Sequence, residues 1–543
     1  MTLRSANIDR LRGGYFDVFV VGGGINGAVV SAALSGRGAT VAMVDRSDFG
    51  SFTSQASSNL VWGGFKYLEH YELLLVRKLC QSRNRLMKAY PDNVKELSFL
   101  AALDESSPYS PQFSALGAAA YWAIGSFRTR RPRLLDTAAV EATEPAISTK
   151  GVVGGIEYRD AYIKDNDARF VFSFVRSAFE AGATAANYVE VVSADRHRGM
   201  WRITVRDLET GEELLCQSRI LVNAAGPFVD GLNKGWSVTT KHRVVYSKGI
   251  HLVVPRLTTT DHERVLAFFD DTQRLFYVIP MGMRSVIGTT DTRVDDPFTE
   301  VTDDDRTFLL EQINARLDLD APLTTADIIA ERCGVRPLVV SAKGGRRDDV
   351  DWTALSRKHH IEVDRDRRAI TVFGGKLTDC LNVGEEVGDA VEALGLPLEA
   401  DNAGWYGEPA PETRAEFYRQ ARLMHLDDYR ERPDLEPLSD RLWRRYGRRA
   451  FAMLEAIRSD PSMAEDILGG TDYLRVELHM AATTEMVTRL DDFMRRRSKI
   501  EQVVRDEDLD PAGLREVCEI LFGERADEKL AEYTATHPDV TVA

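Results

Sequence analysis

Residues 15–45 restrict the fold more than any other part of the chain. Tyr15 to Val21 reads YFDVFVV, a β-branched apolar run of the kind that forms a strand buried on both faces. Gly22-Gly23-Gly24-Ile25-Asn26-Gly27 follows without a break and fits GxGxxG. Ala28 to Leu34 continues as a helix of small and apolar residues, and Ala39 to Val44 is a second buried strand ending at Asp45. In this register Gly22 makes the tight turn, Gly24 admits a pyrophosphate against the backbone, and Gly27 lets the helix pack on the strand. Asp45, roughly twenty residues on, is placed to bond a ribose hydroxyl. The helix start adds backbone N–H groups and a partial positive charge for the phosphates. The segment predicts an α/β, Rossmann-like unit with a dinucleotide site; alone it does not separate NAD from FAD.

Three later segments favour FAD. Thr53 to Tyr67 reads TSQASSNLVWGGFKY, hydroxyls and amides followed by the Gly63-Gly64 pair, a run able to bond phosphates and bring backbone against a flat ring. Ile220 to Asp230, ILVNAAGPFVD, is a buried strand running into small residues. Ala369 to Thr378, AITVFGGKLT, is another strand ending in glycines. Strand-to-glycine turns so far apart in sequence predict one sheet interrupted by insertions, which suits an extended FAD better than a compact NAD unit.

Composition bounds the rest. A chain of 543 residues predicts two or three domains. The 84 acidic residues outweigh the 69 basic ones, for a net charge of −15, which excludes general nucleic-acid binding while leaving local anion sites open. Cys80, Cys216, Cys333, Cys380 and Cys518 form no CxxC pair, so no cysteine-based zinc site or disulfide framework is expected, and the low density suits a reducing cytosol. The N-terminal segment lacks the apolar core of a signal peptide. No stretch reaches the ~18 apolar residues of a membrane span. The longest uncharged apolar run, Phe113 to Phe127, precedes the basic cluster Arg128 to Arg133 and reads either as a core helix or as a segment lying on an anionic membrane surface.

The ordered motifs resemble those of the FAD-dependent glycerol-3-phosphate dehydrogenases, within the glycine-oxidase-like flavoproteins. They are VVGGGINGA, the Thr53 to Val76 block, DARFVFS at Asp167, LVNAAGPFVD at Leu221, SKGIHLVVPR at Ser247 and VIPMGMRSVIGTTDT at Val278. GVRPL at Gly334, FGGKLT at Phe373, RRYG at Arg444 and the helical stretch from Tyr473 complete the set. The resemblance implies a discontinuous FAD domain (residues 1–80, 150–240 and 345–400), a substrate or cap domain on an antiparallel sheet (81–149 and 241–344) and an all-α C-terminal domain (405–543) ending in a frayed tail. It implies oxidation of sn-glycerol 3-phosphate to dihydroxyacetone phosphate by hydride transfer to flavin N5. It further implies a quinone acceptor and peripheral attachment to the inner face of the cytoplasmic membrane; the helical domain is a candidate for homodimerisation.

The resemblance assigns to FAD Gly22, Gly24, Ile25, Asn26, Gly27, Asp45, Arg46, Thr53, Ser54, Ser57, Ser58, Asn59, Leu60, Gly63 and Gly64. It adds Val191, Ala224, Ala225, Gly226, Gly374, Gly375, Lys376, Leu377 and Thr378. For the substrate it implies His251 as base, Arg336 beside the reacting oxygen, and Lys376, Lys66 and Arg357 for the phosphate, with Tyr67 nearby. A lone strand histidine is by itself more often structural. The block reads SSNLVWGGFKYLE where the family has SSKLxHGGxRYLE, so Asn59, Trp62 and Lys66 depart from the pattern. Asp379 and Cys380 replace a Thr-Tyr pair and are expected to add negative charge near the end of the site. These departures leave open another polyol phosphate such as an erythritol phosphate and a non-catalytic flavoprotein; an oxygen-using oxidase is also open, since the same fold serves both acceptors and no single residue decides.

Overall fold

The computed structural model describes residues 2–541 except 69–70, 259, 261–262, 272, 343–357, 400–403, 430–435 and 470. Two sheets and a helical C-terminal region make up the fold. The first sheet has a parallel centre in the order Ala369–Phe373, Glu213–Asn223, Tyr15–Val21, Val41–Val44, Thr184–Ala186. Tyr15–Val21 is buried along all but its first residues, as a strand covered on both faces requires. The helix Ile25–Gly36 packs on one face: a Cβ at Gly27 would stand 1.7 Å from the Gly22 carbonyl oxygen, so only glycine permits this approach. The strands Val189–His197 and Met200–Asp207 extend the sheet as an antiparallel ribbon.

The second sheet is mainly antiparallel and carries the insertions. Its longest strand, His242–Pro255, pairs with Arg284–Gly288, Thr292–Val294 and Ala330–Ser341. Val94–Asp104 pairs with Val152–Ile163, which also pairs with Leu60–Val61. The strands Leu60–Val61 and Val152–Ile163 were expected in the flavin domain. Cross-strand pairing puts both in the cap sheet, and the chain returns to the first sheet only after Ile163. The apolar run at Phe113 forms the helix Pro111–Ile124, which buries Ala118 and Tyr121 but leaves Phe113 and Leu116 on the surface.

The C-terminal helices dock through arginines. Asp48, fully buried beside the flavin-domain turn, accepts hydrogen bonds from Arg497 at 2.8 and 2.9 Å, from Arg496 at 2.7 Å and from Asn187 at 2.9 Å. Those arginines sit on the wide-turn helical segment Asp492–Arg497. The tail differs from the expected frayed end: His537 stacks on Tyr533 with ring centroids 4.0 Å apart, and Val540 is buried in the C-terminal core. An aromatic stack and one buried valine are enough to hold it. No helix among the described residues is long and apolar enough to cross a membrane.

Candidate active site

Two adjoining cavities lie where the parallel strands end. One, of about 220 Å³, is lined by Gly22, Gly24, Asp45, Arg46, Val191 and the Ala224–Gly226 turn. The other, of about 300 Å³, is bounded by both sheets and lined by Ser57, Ser58, Trp62, Tyr67, His251, Arg336 and Lys376 among others, including Leu60, Leu377 and Thr378. Ile25, Thr53, Ser54, Pro337, Gly374 and Gly375 line both, so the two form a single channel.

The first end is a backbone cradle. Gly22 has φ +101°, and a Cβ there would meet the Ala224 carbonyl oxygen at 2.7 Å. Asp45 accepts hydrogen bonds from the amides of Gly23 (2.6 Å) and Ser47 (2.7 Å), and burial outweighs them to push its carboxyl up to about 6. Each carboxyl oxygen keeps a further lone pair for a ribose hydroxyl. Ser54 Oγ accepts from the Ile25 amide at 3.0 Å, tying the Thr53 block to the helix start. Arg46 stacks over the rings of Phe228 and Phe298, 5.4 and 5.9 Å from their centroids, at the mouth.

The second end carries the polar side chains. Arg336 donates to Thr289 Oγ1 at 2.7 Å, the Thr290 carbonyl at 3.2 Å and Ser247 Oγ at 3.4 Å, with Asp291 at 3.7 Å. Its guanidinium lies flat on Gly249, where a Cβ would come within 2.1 Å of Nη2. His251 is 1% exposed; its Nε2 lies 2.8 Å from Ser58 Oγ, and its Nδ1 has no hydrogen-bond partner among the described residues. Burial, then Arg332 and Arg336, hold its pKa well below 6.5, so the ring is neutral at pH 7. Lys376 Nζ sits 4.1 Å from the Tyr67 ring centroid and 5.5 Å from that of Trp62. Gly374 and Gly375, at φ +61° and +102°, carry the backbone past this end, and Asn26 Nδ2 bonds the Gly374 carbonyl at 2.9 Å.

Several expected site residues stand elsewhere. Asn59 is buried and is not among the residues lining either cavity; it donates to the Asp165 carbonyl and accepts from Arg332, tying the strand Ala330–Ser341 to the turn after Ile163. The Gly63 amide bonds buried Asp160, and a Cβ there would meet the Tyr121 hydroxyl at 2.2 Å, while one at Gly64 would strike the Tyr67 ring; both glycines are needed for packing. Lys66, on the short helix Phe65–Leu68, is not among the residues lining either cavity. Gly27 acts through helix packing. Arg357 lies outside the described residues. The extra negative charge expected from Asp379 is neutralised: its carboxylate lies 2.8 Å from His359 Nδ1 and 3.7 Å from Lys78 and accepts from Ser82 at 2.9 Å, in a buried cluster turned from the channel. His359 is drawn toward its charged form because Asp379 and Glu386 overcome burial.

The structure adds residues that motif reading missed. Gly249, Tyr277, Thr289 and Lys358 line the second cavity, and Phe52, Glu190 and Phe228 the first. A glycine inside the strand SKGIHLVV was a legible sign of close approach; nothing comparable marked Thr289 or Tyr277.

A channel that starts at a GxGxxG turn and ends between two sheets is the layout of a flavin-dinucleotide oxidoreductase. The residues present fit FAD, since Asn26 Oδ1 and His251 Nδ1, both on lining residues, are buried without a partner among the described residues and would meet a ligand polar along its length. Residues 17–356 match the family described as FAD dependent oxidoreductase, and residues 429–525 match the C-terminal domain of alpha-glycerophosphate oxidase. The aerobic glycerol-3-phosphate dehydrogenase of Escherichia coli (strain K12) is 30% identical over 497 residues, covering 89% of this chain and 93% of that one. The D-erythritol 1-phosphate dehydrogenase of Brucella abortus (strain 2308) is 32% identical over 375 residues, 67% of this chain and 70% of its own. The FAD-complexed glycerol-3-phosphate dehydrogenase structure from Bacillus halodurans superposes with a TM-score of 0.75 at 23% identity, covering 99% of this chain and 98% of that one. The chain belongs to the FAD-dependent glycerol-3-phosphate dehydrogenase family.

Proposed function

We propose that this chain oxidises sn-glycerol 3-phosphate to dihydroxyacetone phosphate and delivers the electrons to a quinone at the inner face of the cytoplasmic membrane. The carrying observation is that His251, Arg336 and Lys376, far apart in sequence, line one end of the channel. FAD, held by the Gly22–Gly27 turn, Asp45 and the Gly374-Gly375 backbone, supplies the two-electron acceptor chemistry when bound. Lys376 gives the phosphate a cation. Arg336 faces the oxygen on which negative charge develops. Neutral His251 accepts the hydroxyl proton at Nδ1 while Nε2–H donates to Ser58. Addition of glycerol 3-phosphate without oxygen should bleach the oxidised flavin band within one turnover. No bleaching with that substrate, but bleaching with a four-carbon polyol phosphate, would transfer the assignment. Trp62 is the observation favouring that second reading: it stands where the family has histidine and its ring lies in the cavity wall beside Lys376. Stoichiometric peroxide without added quinone would overturn the quinone part.

Membrane attachment rests on the helix Pro111–Ile124. Its outer face presents Phe113 (60% exposed) and Leu116 (68%), and Phe127 follows at 60%, next to exposed Arg128, Arg130, Arg131 and Arg133. Apolar side chains beside guanidinium groups suit an anionic lipid surface. The protein should sediment with anionic vesicles and lose that binding in the Phe113→Asp/Leu116→Asp variant; equal recovery in the supernatant with and without vesicles would refute attachment. A homodimer through the C-terminal helices completes the reading, and a monomer mass by light scattering would remove it.

A further inference from the structure

The C-terminal domain holds a group of side chains that the flavin chemistry does not use. Asp491 immediately precedes the arginine-rich segment, Glu501 lies on the short helix Ile500–Val503, and His537 ends the helix Ala526–Thr536. One ligand atom from each lies within 4.8 Å of the others. His537 Nε2 is 3.9 Å from both Asp491 Oδ1 and Glu501 Oε1, at ion-pair distance from each. A three-coordinate arrangement around an ion, with bonds of about 2.0–2.2 Å to each ligand, asks for only a small contraction of those separations.

Three independent features point to a ligand. First, His537 Nδ1 lies 3.0 Å from the Tyr533 carbonyl oxygen. That bond puts a ring proton on Nδ1 and turns Nε2 toward the carboxylates, the arrangement that orients metal-binding histidines. Second, Glu501 Oε2 is buried with no hydrogen-bond partner among the described residues. Third, the Tyr533 hydroxyl is likewise buried and unpartnered on a side chain 1% exposed. Its ring stacks on His537, with centroids 4.0 Å apart. A cavity of about 330 Å³ lined by Glu501, Asp506, His537 and Asp539 opens beside the group and offers an entry path and room for water ligands.

We propose that Asp491, Glu501 and His537 bind a divalent transition-metal ion that fastens the C-terminal tail to the arginine-rich docking segment. One imidazole and two carboxylates suit Zn²⁺ and its Co²⁺ surrogate better than Ca²⁺ or Mg²⁺, which take oxygen ligands alone. None of the three residues lines either flavin cavity, so the proposal does not depend on the substrate reading.

The test uses the FAD-loaded full chain, stripped of metal with a chelator. Titration with Co²⁺ should produce ligand-field absorption that saturates at a single ion per chain and is displaced by Zn²⁺. Zn²⁺ should raise the thermal midpoint by a few degrees, reversibly with chelator. His537→Gln and Asp491→Asn should abolish both signals while flavin content and turnover stay at wild-type values. Absence of Co²⁺ absorption at millimolar ion, or an unchanged signal in both variants, would overturn the proposal. If His537→Gln folds poorly, Glu501→Gln decides by the same absorption.

Discussion

Cations at the domain seam and cations at the channel are held in different ways. At the seam, Arg496 and Arg497 close on Asp48, Arg332 bonds Asp167 at 2.9 Å, and Arg445 bonds Asp165 at 2.8 Å, all with almost no solvent access. At the channel, Arg336 bonds two hydroxyls and a carbonyl and pairs with Asp291 at 3.7 Å, and Lys376 lies over aromatic rings. Arg332 and Arg336 even share a strand, four residues apart, so sequence neighbourhood does not decide the role. A buried arginine that meets a carboxylate at bonding distance is neutralised and serves the fold. Arg336 keeps 22% of its side chain exposed beside the cavity it lines, and its ion pair with Asp291 is at the longer distance of 3.7 Å, so it can still meet an anion.

The largest expected effect is at the seam. Arg497→Met leaves Asp48 buried with half of its arginine partners and should cost ~3–5 kcal/mol, read from the denaturant midpoint of the FAD-loaded protein. A loss under ~1 kcal/mol would mean that the seam arginines do not carry domain docking. Arg336→Met should behave oppositely, with kcat/KM down about 10²–10³-fold and the midpoint nearly unchanged. A stability loss as large as that of Arg497→Met would erase the distinction between the two sites.

The smallest effect is in pH. His251 has a folded pKa well below its ordinary 6.5, so below that pH the unfolded chain takes up a proton that the folded chain refuses. Its neutral state is therefore a stability contribution complete above pH 6.5 and lost as pH falls below it. The acid limb of kcat/KM should lie below 6.5, and His251→Gln should flatten the loss of stability on the acid side. An acid limb centred at 6.5 would show a solvated histidine instead of a desolvated one.

Much was legible before folding, because it lies in contiguous residues. The GxGxxG turn, the Asp45 strand end and the Gly374-Gly375 turn need only their own neighbours to declare backbone that must approach a ligand, and the structure lines the channel with them. Asn59, Gly63 and Gly64 show the limit of that reading. They sit inside a cofactor-like block, yet their partners, Asp165 with Arg332, Asp160 with Tyr121, and Tyr67, are mostly remote in sequence and claim them for packing. Lys66 and Asp379 fail for a related reason: charge type is visible in a sequence, but the direction of the side chain and the identity of its counter-ion are not.

The sequence by itself determined the flavin-binding turn, a sheet interrupted by insertions, and the residue types able to handle an anionic alcohol, since these follow from local spacing and side-chain chemistry. Only the tertiary structure decided which cations reach the channel and which are neutralised in the seam. It also decided that His251 is neutral, that Asp379 is silenced by His359, and that the tail brings His537 back to Asp491 and Glu501. Each of those depends on burial and on a partner well outside the local segment, and desolvation and pairing energies exist only once the chain has closed around them.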